Sequence, residues 1–416
     1  MVFWSKNRQS TRNTAVALDI GTEFVKALIF RAENGQAEVI GIGRQRQKLS
    51  DMQGGTVTDI NGVIKNCAAA IERAAETIQI LPEKAIVGIA GELVKGTTTD
   101  ICYTRAEPKT KITFSELKDI VGKVQRRAFD RARSVLAWET GHQELDVKLV
   151  NAAIVNVKID GYKVTNPLGF QGREIAVSVF NSFAPIVHLG ALQTVVEELG
   201  LDLMSVVAEP YAVARCLGQE ESSEFSAIFI DIGGGTTDIA LVSAGGLEGT
   251  KMFAIGGRAF TKRLANELNL NFLAAEEKKI LYAAGKLSAE ERNRIKTILK
   301  TDVATWLSGV ELTLGELTAN PPLPARILLC GGGSGLPEIK ETLQNHRWPE
   351  DIGFARQPTV HFLNPKDIAT VIDKTDRLTE PCDITPMSLV NLGIELVEQG
   401  GLADRTLSAI LKPFRT

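Results

Sequence analysis

The sequence predicts an α/β protein built from two similar halves, because one strand–turn–strand pattern occurs twice, far apart in the chain. The first copy is residues 15–22 (AVALDIGT), and the second is residues 227–238 (AIFIDIGGGTTD). In each copy an apolar strand ends at an acid, Asp19 or Asp231, and a Gly/Thr turn leads into another strand. A third glycine turn, at residues 331–335 (GGGSG), separates an apolar strand from a helix that begins near Pro337.

These turns are suited to phosphate. Glycines let backbone N–H groups come close to an anion, and successive turn N–H groups form an anion-binding concavity. An aspartate beside phosphates repels them unless a cation lies between, so Asp19 and Asp231 imply Mg²⁺ held through water. Each copy alone is also compatible with an ordinary hairpin, since Asp and Gly are common in turns. Two copies together with the third glycine turn favour one shared phosphate site.

Composition excludes several other classes of protein. The chain has 416 residues, of which 44% are apolar and 23% charged, as expected for a globular protein of about two to four domains. A net charge of −3 argues against a general nucleic-acid binder. The five cysteines are scattered without a CxxC motif, which predicts neither a disulfide framework nor a zinc site and suits a reducing cytoplasm. We expect no signal peptide and no transmembrane segment.

In the first half of the chain, strands are expected within residues 15–48, followed by an amphipathic helix over 59–77 and a buried strand over 85–91. Thr113 and Glu116 have the spacing of a capping box and predict a helix that ends near Arg133. Strands are predicted at 145–159 and 173–183, then a helix over 184–199 and a strand over 204–208. Pro210 favours a first helical turn, which places Glu209 at a strand–helix junction.

In the second half, helices are predicted over residues 258–268, 274–284 and 289–317. A strand follows the third glycine turn at 359–363, and a last helix spans 386–398.

The order of these motifs resembles the actin-like ATPase superfamily. Residues 19–22 resemble its first phosphate motif, residues 231–238 its second, and residues 327–337 its adenosine motif. Within the superfamily the chain is most similar to the FtsA/PilM group, in residues 54–59 (GGTVTD), 159–161 (IDG), 166–172 (NPLGFQG), and 256–257 with 275–279.

The resemblance implies an actin-like ATPase fold, with two ribonuclease-H-like halves around a nucleotide cleft and an inserted α+β subdomain of the FtsA 1C type. The implied division is residues 1–84 with 185–224 for half I, 85–184 for the insert, 225–257 with 325–400 for half II, 258–324 for a reduced helical subdomain, and 401–416 for a C-terminal tail.

The resemblance also implies that ATP and Mg²⁺ bind between the halves. Asp19 and Asp231 would organise the metal ion, and Glu209 and Asp231 would be the catalytic residues. The remaining implied binding residues are Gly21, Thr22, Lys26, Gly233, Gly234, Gly235, Thr236, Thr237, Gly256, Gly257, Glu276, Lys279, Gly331, Gly332, Gly333 and Gly335.

Two of these assignments have alternatives. Lys26 either reaches a phosphate or faces solvent from its strand. Glu276 and Lys279, which share a helix face, either reach the ribose and adenine or form a solvated ion pair. Hydrolysis is expected to be slow at most, with nucleotide acting as a conformational and polymerisation switch.

As a function we expect a cytoplasmic cell-division scaffold on the inner face of the membrane, with self-association into a filament or dimer and contact with FtsZ or other division proteins. Between Tyr282 and the third glycine turn, where FtsA has a small sheet, the chain is predicted to be almost wholly helical. This favours, as the alternative, a PilM-like adaptor for the tail of an inner-membrane pilus protein. A small-molecule kinase is disfavoured, because no sugar-binding motif is evident. Membrane contact would use a terminal amphipathic helix at 402–414 or the aromatic and basic N-terminus. The alternative for the former, which its thin polar face and Pro413 favour, is a helix packed on the domain, and the alternative for the latter is a disordered tail.

Overall fold

The computed structural model describes residues 13–76, 78–141, 146–218, 225–317, 322–345, 352–354 and 356–398. In chain order, its strands are β1 (Thr14–Ile20), β2 (Phe24–Glu33), β3 (Gln36–Arg46), β4 (Met52–Gln53), β5 (Thr56–Val57), β6 (Lys84–Ile89), β7 (Lys95–Thr104), β8 (Val147–Ile159), β9 (Tyr162–Lys163), β10 (Glu174–Pro185), β11 (Asp202–Ala208), β12 (Ala227–Ile232), β13 (Thr237–Ser243), β14 (Gly246–Phe253), β15 (Arg326–Cys330), β16 (Thr359–Phe362) and β17 (Val371–Asp373). Its α-helices are α1 (Ile60–Ala75), α2 (Phe114–Thr140), α3 (Ile186–Glu198), α4 (Glu209–Gly218), α5 (Gly257–Leu268), α6 (Phe272–Ala283), α7 (Ala289–Leu317), α8 (Pro337–Asn345) and α9 (Ile384–Glu398).

The first sheet has six strands in the order β11-β6-β1-β2-β3-β17. Strand β1 is antiparallel to β2 and parallel to β6, and all seven of its residues are buried. Helix α1 packs on β2 and β3, while α9 packs on β1 and β2. The sheet is therefore covered by helices, which explains why its central strand is a continuous apolar run.

Helix α1 lies unusually close to this sheet. A Cβ atom built on Gly43 of β3 would come within 1.8 Å of the Ala70 carbonyl oxygen, so only glycine fits at this contact. The predicted start of α1 is confirmed, because the Asp59 side chain accepts a hydrogen bond from the backbone N–H of Gly62 at 3.1 Å.

The second sheet has nine strands in the order β16-β15-β12-β13-β14-β7-β10-β8-β9. Its strands β12, β13 and β14 form an antiparallel meander, and β15 lies parallel to β12. This repeats the arrangement in the first sheet, where β1, β2 and β3 form the meander and β6 lies parallel to β1. The duplicated sequence pattern thus corresponds to a duplicated strand arrangement.

The inserted segment is continuous with the second sheet. Strand β7 pairs with β14 through Gly96 opposite Thr250, and β8 and β10 extend the sheet beyond it. Helix α2 begins as predicted, with Thr113 accepting from the N–H of Glu116, but it extends to Thr140 rather than ending near Arg133. The Glu116 side chain binds Arg105 instead of completing a capping box.

Two elements that the sequence-based division places in half II lie on the first sheet instead. Strand β17 pairs with β3, and α9 packs against β1 and α4. Between β14 and the end of α7, the chain forms only helices and their connections. Strand β6, nearly all of which the same division assigns to the insert, is also a strand of the first sheet. The exact domain boundaries remain a prediction. None of the described helices has the length and apolarity to cross a bilayer.

Candidate functional site

A cavity of about 540 Å³ lies where the two sheets face each other. It is lined by the turns that follow β1, β12 and β15 and by residues of α4, α5 and α6. Most of the predicted site residues line it, namely Asp19, Gly21, Thr22, Lys26, Glu209, Asp231, Gly233, Gly234, Thr236, Gly257, Glu276, Lys279, Gly331, Gly332, Gly333 and Gly335. The predicted residues that do not line it are Gly235, Thr237 and Gly256.

The two predicted glycines that do not line the cavity, Gly235 and Gly256, pack closely against the glycine turns. A Cβ on Gly235 would lie 2.8 Å from the Thr22 hydroxyl, so the two phosphate turns are in direct contact there. A Cβ on Gly256 would lie 2.7 Å from the Gly233 carbonyl oxygen. Glycine allows close packing at both positions, against the Thr22 side chain at Gly235 and against the backbone of the second turn at Gly256.

Thr237 has a packing role rather than the predicted phosphate contact. Its side chain is fully buried, and its hydroxyl donates to the Ile255 carbonyl at 2.7 Å while accepting from the indole N–H of Trp306 at 3.0 Å. Strand alternation explains the difference from Thr236, which lines the cavity, because adjacent strand residues point to opposite faces.

Lys26 faces the cavity rather than solvent. Its ammonium group lies 2.8 Å from Asp19 Oδ2, directly across the β1–β2 hairpin, and it also donates to the Cys382 carbonyl at 2.9 Å. Burial alone would lower the pKa of Lys26, but Asp19 and other negative groups outweigh it and raise the pKa. Lys26 is therefore a fixed positive charge beside the first turn.

Asp231 is held in place by a residue that no sequence motif indicated. Thr385, at the start of α9, donates its hydroxyl hydrogen bond to Asp231 Oδ2. Burial raises the pKa of Asp231, while the Thr385 hydrogen bond and the charge of Lys26 act in the opposite direction. The carboxylate is therefore oriented by a helix that packs on the other sheet.

Glu209 and Asp238 complete an acidic cluster in the cavity. Burial raises the pKa of Glu209 well above its ordinary value, and repulsion from the neighbouring aspartates adds to the shift. Burial and the Asp231 carboxylate likewise raise the pKa of Asp238, against a hydrogen bond from Thr236. Asp238, the last residue of the second motif, also lines the cavity, although the sequence did not predict it as a site residue.

This donor set fits a hydrated divalent cation. Among the carboxylates that line the cavity, Asp19, Asp231 and Asp238 act on Glu209 by charge repulsion, and Lys26 acts on it in the opposite direction, so a cation there would relieve their mutual repulsion. Among the residues that the structure describes, no three His, Cys, Asp or Glu side chains lie close enough together to bind a metal directly. Mg²⁺ commonly keeps several waters and is shared between one or two carboxylates and phosphates, which agrees with such a loose arrangement.

The opposite end of the cavity fits a flat, partly apolar group. Gly331 adopts a φ of +80°, and the bare backbone of Gly335 has nothing within 4 Å of where a Cβ would lie. Across from this turn, α6 contributes the apolar Ile280, Ala283 and Ala284 to the lining. Sequence reasoning missed these three, because an apolar residue on a helix carries no motif.

Glu276 and Lys279 are not a solvated surface pair. Their charged atoms are 2.8 Å apart, and their side chains are 12% and 11% exposed. Lys279 also donates to the Gly257 carbonyl at 3.0 Å and to the Thr261 hydroxyl at 2.8 Å. The pair therefore joins α6 to α5 at the wall of the cavity.

Comparisons with known proteins agree with this geometry. The family model "Cell division protein FtsA" matches residues 228–381. The chain is 23% identical over 389 residues to the cell division protein FtsA of Streptococcus pneumoniae serotype 2, covering 87% of this chain and 81% of that protein. It is 28% identical over 270 residues to the Pseudomonas aeruginosa protein of the same name, covering 64% and 60%.

Among solved structures, a chain of the PilM-PilN type IV pilus biogenesis complex superposes with a TM-score of 0.65. The likeness covers 91% of this chain and 98% of that chain at 16% identity, so it concerns the fold.

We expect Thr237→Val to destabilise the protein by about 1–3 kcal/mol, because it leaves the buried Trp306 N–H and Ile255 carbonyl without partners. Thr236→Val is the matched control in the same turn. It should cost less, because water in the cavity can replace the hydroxyl that it removes. Urea unfolding of both variants measures the difference, and equal losses would contradict the packing role of Thr237.

Glu209→Gln should flatten the pH dependence of stability. Because the folded-state pKa of Glu209 is raised, protonated Glu209 contributes stability that is fully present below its unfolded value near 4.5 and lost as pH rises toward the folded pKa. Glutamine does not titrate, so the variant should gain on the order of 1 kcal/mol relative to wild type between pH 5 and pH 8.

The measurement is the free energy of unfolding across that pH range. Glu267→Gln, at an exposed position of α5, is the control and should follow the wild-type curve. Parallel curves for wild type and Glu209→Gln would show that Glu209 is already ionised in the folded protein.

Proposed function

The chain belongs to the FtsA/PilM group of actin-like ATPases, and from this we propose that it is a nucleotide-switched protein of bacterial cell division that binds Mg-ATP between its halves. The predicted actin-like fold is confirmed. Membership of this group implies nucleotide binding. The metal ion, the residue roles and the cellular role are the parts that we propose.

One observation carries the nucleotide assignment. The two glycine turns come from different sheets, yet both line one cavity, and Gly235 of the second turn touches Thr22 of the first. A polyphosphate chain is the group that two such turns can hold at the same time, one on each side. The cluster of buried carboxylates beside them supports a metal-chelated form of that ligand.

Within this proposal, Asp19 and Asp231 hold Mg²⁺ through water, and Lys26 supplies a fixed positive charge close to the phosphates. The backbone N–H groups of the two turns and the hydroxyls of Thr22 and Thr236 contact phosphate oxygens. The third glycine turn and the apolar side of α6 enclose the base, and the Glu276–Lys279 pair contacts the ribose.

Glu209 is proposed to position water rather than to remove its proton rapidly. Its pKa is raised well above the ordinary range by burial and by neighbouring aspartates, so without a cation it is a poor proton acceptor. A Mg²⁺ ion near Asp19 and Asp231 would lower that pKa by offsetting the repulsion. We therefore expect slow hydrolysis, with bound nucleotide acting mainly through the conformation that it stabilises.

The proposed cellular role is a scaffold at the cytoplasmic face of the membrane that self-associates as a filament or dimer. FtsZ or another division protein is the proposed partner, in line with the name of the curated relatives. The proposed membrane contacts, residues 402–414 and the N-terminal aromatic and basic residues, lie outside the described residues.

A second candidate is a pilus-assembly adaptor that binds the cytoplasmic tail of an inner-membrane protein. Two observations favour it: the match in fold to a PilM-PilN complex over 98% of that chain, and the wholly helical character of the region between β14 and the end of α7. A small-molecule kinase lacks comparable support.

Asp231→Ala should abolish Mg²⁺-dependent ATP binding, because it removes one of the two proposed metal-organising carboxylates. Calorimetric titration of ATP with and without EDTA measures the dependence on metal. Asp302→Ala removes an acid that binds Arg263 away from the cavity and serves as the control. If Asp231→Ala keeps the wild-type affinity and the same sensitivity to EDTA, the metal assignment is wrong.

The division role predicts that the full chain pellets together with polymerised FtsZ from the same organism in the presence of Mg-ATP. The pilus role predicts instead that it binds an inner-membrane pilus protein's cytoplasmic peptide and leaves FtsZ in the supernatant. Monomeric FtsZ is the control for non-specific pelleting. Peptide binding without FtsZ binding would replace the first role by the second.

A further inference from the structure

Arg258, the second residue of α5, reaches from the second sheet to the first turn. Its guanidinium donates to Glu23 Oε2 at 2.6 Å, to the Thr22 carbonyl at 2.6 Å and to the Met52 carbonyl at 3.3 Å. Its side chain is only 10% exposed. All three acceptors belong to the first half of the predicted division, whereas Arg258 belongs to the helical part that follows β14.

The same residue also holds the second turn. The backbone N–H of Arg258 donates to the Gly234 carbonyl at 2.8 Å, directly after Gly257 has donated to Gly233 at 2.9 Å. Arg258 therefore contacts one phosphate turn through its backbone and the other through its side chain.

Helix stability does not explain an arginine at this position. The N-terminus of a helix carries partial positive charge, so a cation in the first turn of α5 is unfavourable. The contact with Glu23 offsets this cost only while the two halves are together. The placement of Arg258 is consistent with a role between the halves.

Glu23 is suited to a contact that breaks and re-forms. Its other oxygen, Oε1, accepts from Arg46 Nε of β3 at 2.7 Å, within the first half itself. If Arg258 moves away, Glu23 keeps one cationic partner and is not left as an unpaired buried charge. Arg258 would lose its acceptors and enter water, where its charge is readily solvated.

We propose that Arg258 and Glu23 form a clasp across the cleft whose opening controls the release of nucleotide. This inference rests on the proposed binding of Mg-ATP between the two turns. With the clasp closed, Thr22 and Gly234 are held at a fixed separation by one side chain and one backbone. With the clasp open, the first turn is free to move away from the second, and a bound phosphate chain would be held by only one of the two turns.

The test is the rate at which a fluorescent ATP analogue leaves the full-length protein, measured by stopped-flow chase with excess ATP and Mg²⁺. Arg258→Lys keeps the positive charge but cannot donate to Glu23 and Thr22 in the fork geometry of a guanidinium. We expect release to accelerate on the order of tenfold, since one lost hydrogen bond to a charged group changes the balance between the closed and open clasp by about that factor.

Two further variants separate the clasp from general loss of structure. Glu23→Gln keeps a hydrogen-bond acceptor and should accelerate release less, and the double variant should be little faster than Arg258→Lys alone, because both changes break one contact. Arg263→Lys changes the exposed arginine of the same helix, which binds Asp302, and should leave release unchanged. Thermal melting of each variant identifies any that unfold.

Hydrogen exchange of the nucleotide-free protein gives a readout that does not depend on ATP. Arg258→Lys should speed exchange at residues 21–24 and 233–236 and leave β8 and β10 unaffected. Unchanged release together with unchanged exchange would overturn the clasp while leaving the nucleotide proposal intact. A wild-type protein that binds no Mg-ATP would overturn the proposed function, and the exchange result alone would then decide whether the clasp exists.

Discussion

The main electrostatic constraint on this structure is the mutual repulsion of four buried carboxylates that line one cavity. Asp19, Glu209, Asp231 and Asp238 come from four different segments, and Lys26 is the only lysine close to Asp19 among the residues that line this part of the cavity. Burying acids is costly unless a positive charge compensates them. The raised pKa values of three of the four show that this compensation is incomplete in the protein alone. A ligand that brings a cation would relieve this repulsion, which is why Mg-ATP is the ligand that we propose.

The acids stay buried despite this energetic cost, because the packing of the two sheets fixes the positions of the strand ends that carry them. Strands β1 and β12 are central in their sheets, and each places its acid at the end of an almost fully buried run. Glycine is needed where the turns meet, since even a methyl group on Gly235 would collide with Thr22. Helix α9 lies on the first sheet but orients Asp231 of the second through Thr385, which links the acids of the two halves.

The sequence correctly predicted the structural elements that depend on local sequence patterns. The paired hairpins, the capped start of α1 and the bounds of α7 at Ala289–Leu317 all follow from periodicity and turn chemistry within a few neighbouring residues. It failed where contacts distant in sequence decide the outcome. Thr237 accepts a hydrogen bond from Trp306, 69 residues away, and Arg258 donates one to Glu23, 235 residues away. No sequence pattern near either partner indicates these contacts. The length of α2 was underestimated, because its end is joined to the sheet by a contact distant in sequence: Glu139 forms an ion pair at 2.7 Å with Lys95 of β7.

The pairing of β7 with β14 gives the inserted segment an unusual mechanical position. The chain joins the insert to the first sheet at both of its ends, through β6 and α3, while main-chain bonds at Gly96 and Thr250 attach it to the second. The contact is close, since a Cβ on Gly96 would lie 2.1 Å from the Thr250 hydroxyl oxygen. Any hinge motion between the sheets must therefore either break the pairing of β7 with β14 or rotate the insert as a rigid unit. A small rotation near the glycine turns would then become a larger displacement at the far strands β8 and β9.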